Sequence, residues 1–246
     1  MTRQQGIGLP ELLIGFFLST LLMTIMMQHV LHAKQQSRAI FVVMEESFEL
    51  QWLSDFIRSR VRSAGFTPCL RIDHLVGFDA RVKSESLAAI EVSTAPDTRL
   101  MIHRMSDEGE AILRQISPNE LLIGPQTVHV GRPVLIADCY HAEVHDVERI
   151  TKHEEGYVVT LKEPLVFHYA SLVYLGEWVS ESFFIRALAD GKRALFYQLY
   201  RVDQLTPRVH DFSAELQRVH AYTQVHLSFS LNNHRTWILD TVVRAR

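Results

Sequence analysis

One carboxylate inside an apolar run is the first feature of this sequence that asks for a chemical explanation. In IGLPELLIGFFLSTLLMTIMM, Ile7 to Met27, the only formal charge is Glu11. An ionised carboxylate in hydrocarbon costs roughly 3 kcal/mol or more, so it calls for a specific cationic partner. Pro10 is the second anomaly. In a helix continuing from Gly6 it would lack an N–H and clash with the Gly6 carbonyl. Cleavage of the peptide bond between Gly6 and Ile7 removes both objections. Pro10 then falls in the first turn of the shortened chain, where an N–H has no intrahelical acceptor. The new amine on Ile7 stands four residues from Glu11 and supplies the missing cation, within one molecule or to a neighbour. The chemistry these residues point to is processing at Gly6 and Ile7 and charge pairing at Glu11.

The other reactive residue types form weaker patterns. Cys139-x-His141-x3-His145, flanked by Asp138 and Asp146, contains zinc-ligand types. In an extended strand His145 would lie about 13 Å from His141, so no metal site is expected. His129, His168, His220, His226 and His234 are isolated. The pairs Glu45/Glu46, Glu108/Glu110 and Glu154/Glu155 read as solvated charge on a helix face or in turns. No nucleophile elbow, zinc-protease helix, P-loop or dinucleotide glycine fingerprint occurs, so neither catalysis nor a cofactor is expected. Cys69 and Cys139, the only cysteines, either form one bridge in an oxidising compartment or stay as two buried thiols.

Positioning these residues takes a membrane-length helix and a folded domain. At 1.5 Å per residue, Ile7 to Met27 spans about 30 Å, the thickness of a bilayer's hydrocarbon core. A secretory signal peptide has an apolar region of about 7–15 residues ending at small residues, whereas this run ends in Gln28-His29. Arg3 on one side is balanced by Lys34 and Arg38 on the other, and the shortness of the leader places the amino terminus inside. Helical spacing persists through Phe41, Met44, Phe48, Trp52 and Phe56. It predicts one helix from about Ile7 to Ser63, with this aromatic stripe as a core seam against a sheet. Ala64-Gly65-Phe66-Thr67-Pro68 supplies the stop.

Beyond Pro68, alternation predicts strands at Leu87–Val92, Arg99–Arg104, Val134–Cys139, Tyr157–Leu161 and Leu172–Leu175. Three hairpins are predicted: at His153-Glu154-Glu155-Gly156, at Asp190-Gly191 between Phe183–Leu188 and Ala194–Tyr200, and at Asn232-Asn233 between Val225–Leu231 and Trp237–Val243. Gly77 to Gln126, interrupted by Pro96, Gly109, Pro118 and Pro125, reads as a variable surface insertion. A composition 47% hydrophobic and 22% charged excludes a disordered chain, and a net charge of −3 gives no basic excess for nucleic acid.

The short polar leader with Arg3, then Gly6, then IGLPELLIGF together resemble the processing site of type IV pilins and pseudopilins. The resemblance implies cleavage between Gly6 and Ile7 by prepilin peptidase, methylation of the Ile7 amine, and an assembly role for Glu11 in pairing with a subunit's amino terminus. Ile7, Gly8 and Pro10 differ from the family's commonest residues at those places. AGFTPCL (Ala64–Leu70), GRPVLIADCYHAEVHDV (Gly131–Val147), FYQLYR (Phe196–Arg201) and WILDTVVRAR (Trp237–Arg246), in that order, resemble large minor pilins of the PilW type. They are also similar to the J-type minor pseudopilin of type II secretion. An early cysteine after the helix and a later one in a strand are common in that family, which implies a Cys69–Cys139 disulfide.

The expected fold is therefore α+β and pilin-like, a long N-terminal helix packed on an antiparallel sheet. Its parts are a leader (1–6), a membrane-spanning half-helix (7–27), an amphipathic half-helix (28–65) and a β-rich periplasmic domain (66–246). The resemblance implies a minor pilin, held by one span in the bacterial inner membrane and then carried into a filament or its tip. The implied partners are prepilin peptidase, other minor and major pilins, the inner-membrane assembly platform and, before assembly, the lipid bilayer. The alternatives are a minor pseudopilin of type II secretion and a membrane-anchored periplasmic binding or adhesion module, which uses the helix only as an anchor.

Overall fold

The helical spacing is realised as one helix, α1 (Leu9–Arg62), in this computed structural model, which describes residues 8–94, 98–169, 172–219, 222–232 and 235–243. Glu11 lies in its first turn and Arg60 and Arg62 in its last, the signs that the helix dipole favours at each end. It is long and apolar enough to cross a bilayer. Its hydroxyls suit that setting: Ser19, Thr20 and Thr24 donate to the carbonyls of Gly15, Phe17 and Thr20, each at 2.8 Å, so none needs water.

Fourteen strands follow among the described residues: β1 (Val76–Asp79), β2 (Ile90–Ser93), β3 (Arg99–Met105), β4 (Glu110–Ser117), β5 (Glu120–Ile123), β6 (Pro133–Ala137), β7 (His141–His153), β8 (Gly156–Leu161), β9 (Tyr174–Ala187), β10 (Arg193–Gln198), β11 (Val202–Thr206), β12 (Val209–Val219), β13 (Tyr222–Leu231) and β14 (Thr236–Val242). All pairings are antiparallel except β1 with β7. The protein is thus α+β, with one long apolar N-terminal helix and a large, mostly antiparallel sheet domain. Its compact unit begins at Ser54, so the last turns of α1 belong to it.

Strand β9 organises this unit. Its first half closes a ring, β9–β4–β5–β8–β7–β6 and back to β9. Leu121, Ile123, Val134, Ile136, Val147, Val159, Leu161 and Leu175 form one buried cluster contributed by the strands of that ring. Closing the ring gives each of these strands two hydrogen-bonded neighbours. The second half of β9 lies between β3 and β10 in the order β2–β3–β9–β10–β11. There Phe56 of α1 meets Phe183 and Tyr197 edge-on, with ring centroids 6.0 and 5.1 Å away. Strands β12–β13–β14 form a second sheet, with β12 against β2, β9 and β10.

One expectation is corrected here. Gly77 to Gln126 is no surface insertion: β3 pairs with β9 along its whole length and buries Leu100, Ile102 and Met105, while Gly109, Pro118 and Pro125 punctuate turns. Pro96 lies outside the described residues. Within the sheet-bearing unit the expected helix face is present: Ile57 and Val61, four residues apart, are fully buried and Phe56 is half-buried. A four-residue step keeps side chains on one helix face, which Ile57 and Val61 carry inward beside Phe56.

Candidate functional site

The helix start answers the Pro10 anomaly directly. Leu9 is the first helical residue, so Pro10 is the second and its missing N–H removes no intrahelical bond. Glu11 turns its carboxylate back, and the backbone N–H of Gly8 donates to Oε2 at 3.1 Å. This is the acidic half of a capping box, which satisfies one orphan donor of the first turn. Gly6 and Ile7, the expected cleavage and modification residues, lie outside the described residues. Glu11 thus engages the backbone one residue away from the expected new amine.

The two cysteines are joined, with Cα atoms 5.2 Å apart across 70 residues of chain. Cys69 follows the end of α1, where Gly65 takes φ +70° and donates its N–H to the His103 carbonyl of β3 at 2.7 Å. A Cβ on Gly65 would stand 2.7 Å from that of Ala89, so only glycine fits there. Cys139 is not in a strand as expected. The strand ends at Ala137, and Asp138 Oδ1 accepts from the N–H groups of Tyr140 and His141 at 2.7 and 2.6 Å, building the β6–β7 turn that presents the cysteine. The disulfide therefore ties the helix exit to that turn.

It also removes the thiolate from the Cys139, His141, His145 set. His141 stacks on Phe167 at 4.7 Å, while His145 is fully buried and donates from Nε2 to Glu143 at 2.8 Å. No group of three His, Cys, Asp or Glu placed to hold a metal occurs among the described residues. His129 and His226 each meet a carboxylate at 2.6 Å, Glu177 and Asp240 respectively. His220 and His234 lie outside the described residues.

Three buried carboxylates, read nowhere in the sequence as special, organise the rest. Glu143 pairs across strands with Ile136 and so shares the inward face of the closed ring. It accepts from His145 and from the N–H of Val166 at 2.9 Å, holding the segment after β8. Burial pushes its pKa up, but bonds from His145, Val166 and Tyr169 outweigh that and hold it below the usual range. Glu177 likewise sits below its usual range: burial raises it, and His129, Arg132 and Tyr200 together lower it. Glu181 is fully buried and accepts from Tyr197 Oη at 2.8 Å and Arg104 Nε at 3.2 Å, with Arg60 Nε of α1 at 3.5 Å. Their signal in the sequence is the period-two series Leu175, Glu177, Val179, Glu181, Phe183, which puts two carboxylates on one apolar strand face.

No known protein family, characterised protein or solved structure matches this chain.

Proposed function

We propose that this protein is a type IV pilin-like minor subunit, cut between Gly6 and Ile7 and held in a bacterial inner membrane until it enters a filament. The observation that carries the reading is the first turn of α1, where Pro10 costs no hydrogen bond and the Glu11 carboxylate turns back to accept from the N–H of Gly8; a helix beginning just after a Gly6–Ile7 cut calls for both. The apolar helix leading into a disulfide-closed, mostly antiparallel domain supports the same plan. The work of such a subunit is assembly. Prepilin peptidase removes the leader, the amine of Ile7 is methylated, and Glu11 pairs with a subunit's amino terminus as the helix leaves the bilayer. An unpaired Glu11 in an apolar bundle is costly, so the pair acts as a register check more than as a source of stability. The size of the sheet domain favours a low-copy subunit that initiates or caps filaments together with other minor pilins.

The test is the intact mass and amino-terminal sequence of the protein from cells with and without prepilin peptidase. A peptidase-dependent, methylated chain starting at Ile7 is expected. A chain retaining Met1, or cut beyond Met27, would overturn the proposal in favour of an anchored or secreted module.

A further inference from the structure

Between β8 and β9 the chain runs over the buried cluster of the closed ring as a strap. Residues 162–169 form neither helix nor strand. Leu165 and Tyr169 pack against that cluster and Phe167 stacks on His141, while Pro164, Val166 and His168 are exposed. Backbone bonds tie the beginning of the strap: the N–H of Lys162 donates to the Asp146 carbonyl at 3.0 Å and that of Leu165 to the Pro118 carbonyl at 2.8 Å. From Val166 to Tyr169, no backbone–backbone hydrogen bond occurs among the described residues. Their donors turn to one side chain instead: the N–H of Val166 reaches Glu143 Oε2 at 2.9 Å and that of Phe167 reaches Oε1 at 3.4 Å. The Tyr169 hydroxyl bears on the same carboxylate and reaches the Ile136 carbonyl at 3.4 Å.

A backbone ladder does not titrate, but a carboxylate does. Ionised, Glu143 accepts at both oxygens through charge-assisted bonds; protonated, one oxygen becomes a donor and the bonds that remain are roughly half as strong. The titratable groups facing it are His145 on its own strand and Tyr169 of the strap. Asp138 and His141 of the β6–β7 turn stand beyond Tyr169, and the exposed Lys162–Asp146 pair marks the beginning of the strap. The other strands of the ring contribute Leu121, Ile123, Val159 and Leu175 to its interior. The bonds that hold the strap are among those that keep Glu143 ionised, so each stabilises the other: the hold is complete above the pH at which an unfolded Glu ionises and is lost as pH falls through the folded value. No ladder of the ring passes through residues 162–169, so its strands can stay paired without them. We propose that Val166–Tyr169 is an acid-released strap: protonation of Glu143 frees it and opens the apolar interior of the ring while the strands around that interior remain paired. This device lies within the sheet domain and works alike whichever filament, if any, the chain enters.

The test is residue-resolved amide exchange of the full-length protein in detergent micelles from pH 7 to pH 3, with each rate divided by the intrinsic rate at that pH. At pH 7 the amides of Val166 and Phe167 should be protected at least a hundredfold. Their protection should fall at least tenfold as pH drops below about 4.5, while the amides that bond across the β7–β8 ladder stay protected at least a hundredfold. Glu143→Gln keeps polar atoms in the same place but does not titrate; its strap should be at least tenfold less protected at pH 7 and show no further fall toward pH 3. Unprotected Val166 and Phe167 amides at pH 7, protection unchanged to pH 3, or loss only in step with the ladder amides overturns the proposal. A fall in Glu143→Gln equal to that of the wild type also overturns it, assigning the acid response to another group. The comparison of strap and ladder amides in the wild type requires no variant to fold.

Discussion

Inside the closed ring, the carboxylate of Glu143 accepts a hydrogen bond from His145 Nε2 at 2.8 Å, and neither residue touches solvent. His145 Nδ1 meets no hydrogen-bond partner among the described residues. Glu143→Ala removes the acceptor for His145 and for the Val166 N–H, and should cost about 3 kcal/mol in denaturant unfolding of the micelle-bound protein. Loss below about 1 kcal/mol would show that the carboxylate is not the anchor of the segment after β8.

Acid should destabilise the sheet domain through Glu143 and Glu177. Folding lowers both pKa values below that of an unfolded Glu, about 4.3. Their stabilisation is therefore complete above that pH and lost as pH falls through the folded values. Unfolding midpoints should drop steeply below about pH 4.5. The gap between wild type and Glu143→Gln should narrow from pH 7 toward pH 3; a constant gap would show that Glu143 does not titrate in this way.

The network on Glu181 predicts a graded series. Glu181→Ala removes the buried partner of Arg104 and Arg60, leaving Arg104 the exposed Asp107 and the Met105 carbonyl, and should cost about 3 kcal/mol. Tyr197→Phe loses one hydrogen bond and should cost about 1 kcal/mol. Combining the two should give clearly less than their sum, since both act on one carboxylate. Additive losses in the same unfolding measurement would mean that the contacts are independent.

Reducing Cys69–Cys139 reopens a loop of 70 residues, worth about 4 kcal/mol in the chain-entropy account. The Cys69→Ser, Cys139→Ser protein should unfold at correspondingly lower denaturant, and reductant should move the wild type to the same midpoint but leave the double variant unchanged.

Glu11→Ala, under the proposed function, should leave cleavage at Gly6 largely intact and block entry into filaments, since the carboxylate acts after processing. Mass spectrometry of the membrane fraction and immunoblots of sheared filaments separate the two steps. Normal incorporation would remove Glu11 from the assembly mechanism.

The local features needed little more than the sequence. The helix, its glycine stop at Gly65 and the turns at Glu154–Glu155 and Asp190–Gly191 depend on dihedral preferences and period, which neighbouring residues determine. The hairpin before β14 falls where Asn232-Asn233 places it, although Asn233 itself lies outside the described residues. The long strands were less legible. β9 reads as two fragments, Leu172–Leu175 and Phe183–Leu188, because Glu177, Ser180, Glu181 and Ser182 interrupt its apolar pattern, and β12 does not stand out at all. Glu177 and Glu181 are buried only because His129, Arg132, Tyr200, Arg104 and Tyr197 arrive from distant parts of the chain to pair with them. Ring closure through β6 and the pairing of Cys69 with Cys139 are likewise relations between segments far apart in the sequence. Residue types alone determined what each segment is able to form. Only the tertiary structure decided which charges are paired, because a buried charge is tolerable just where folding brings its partner.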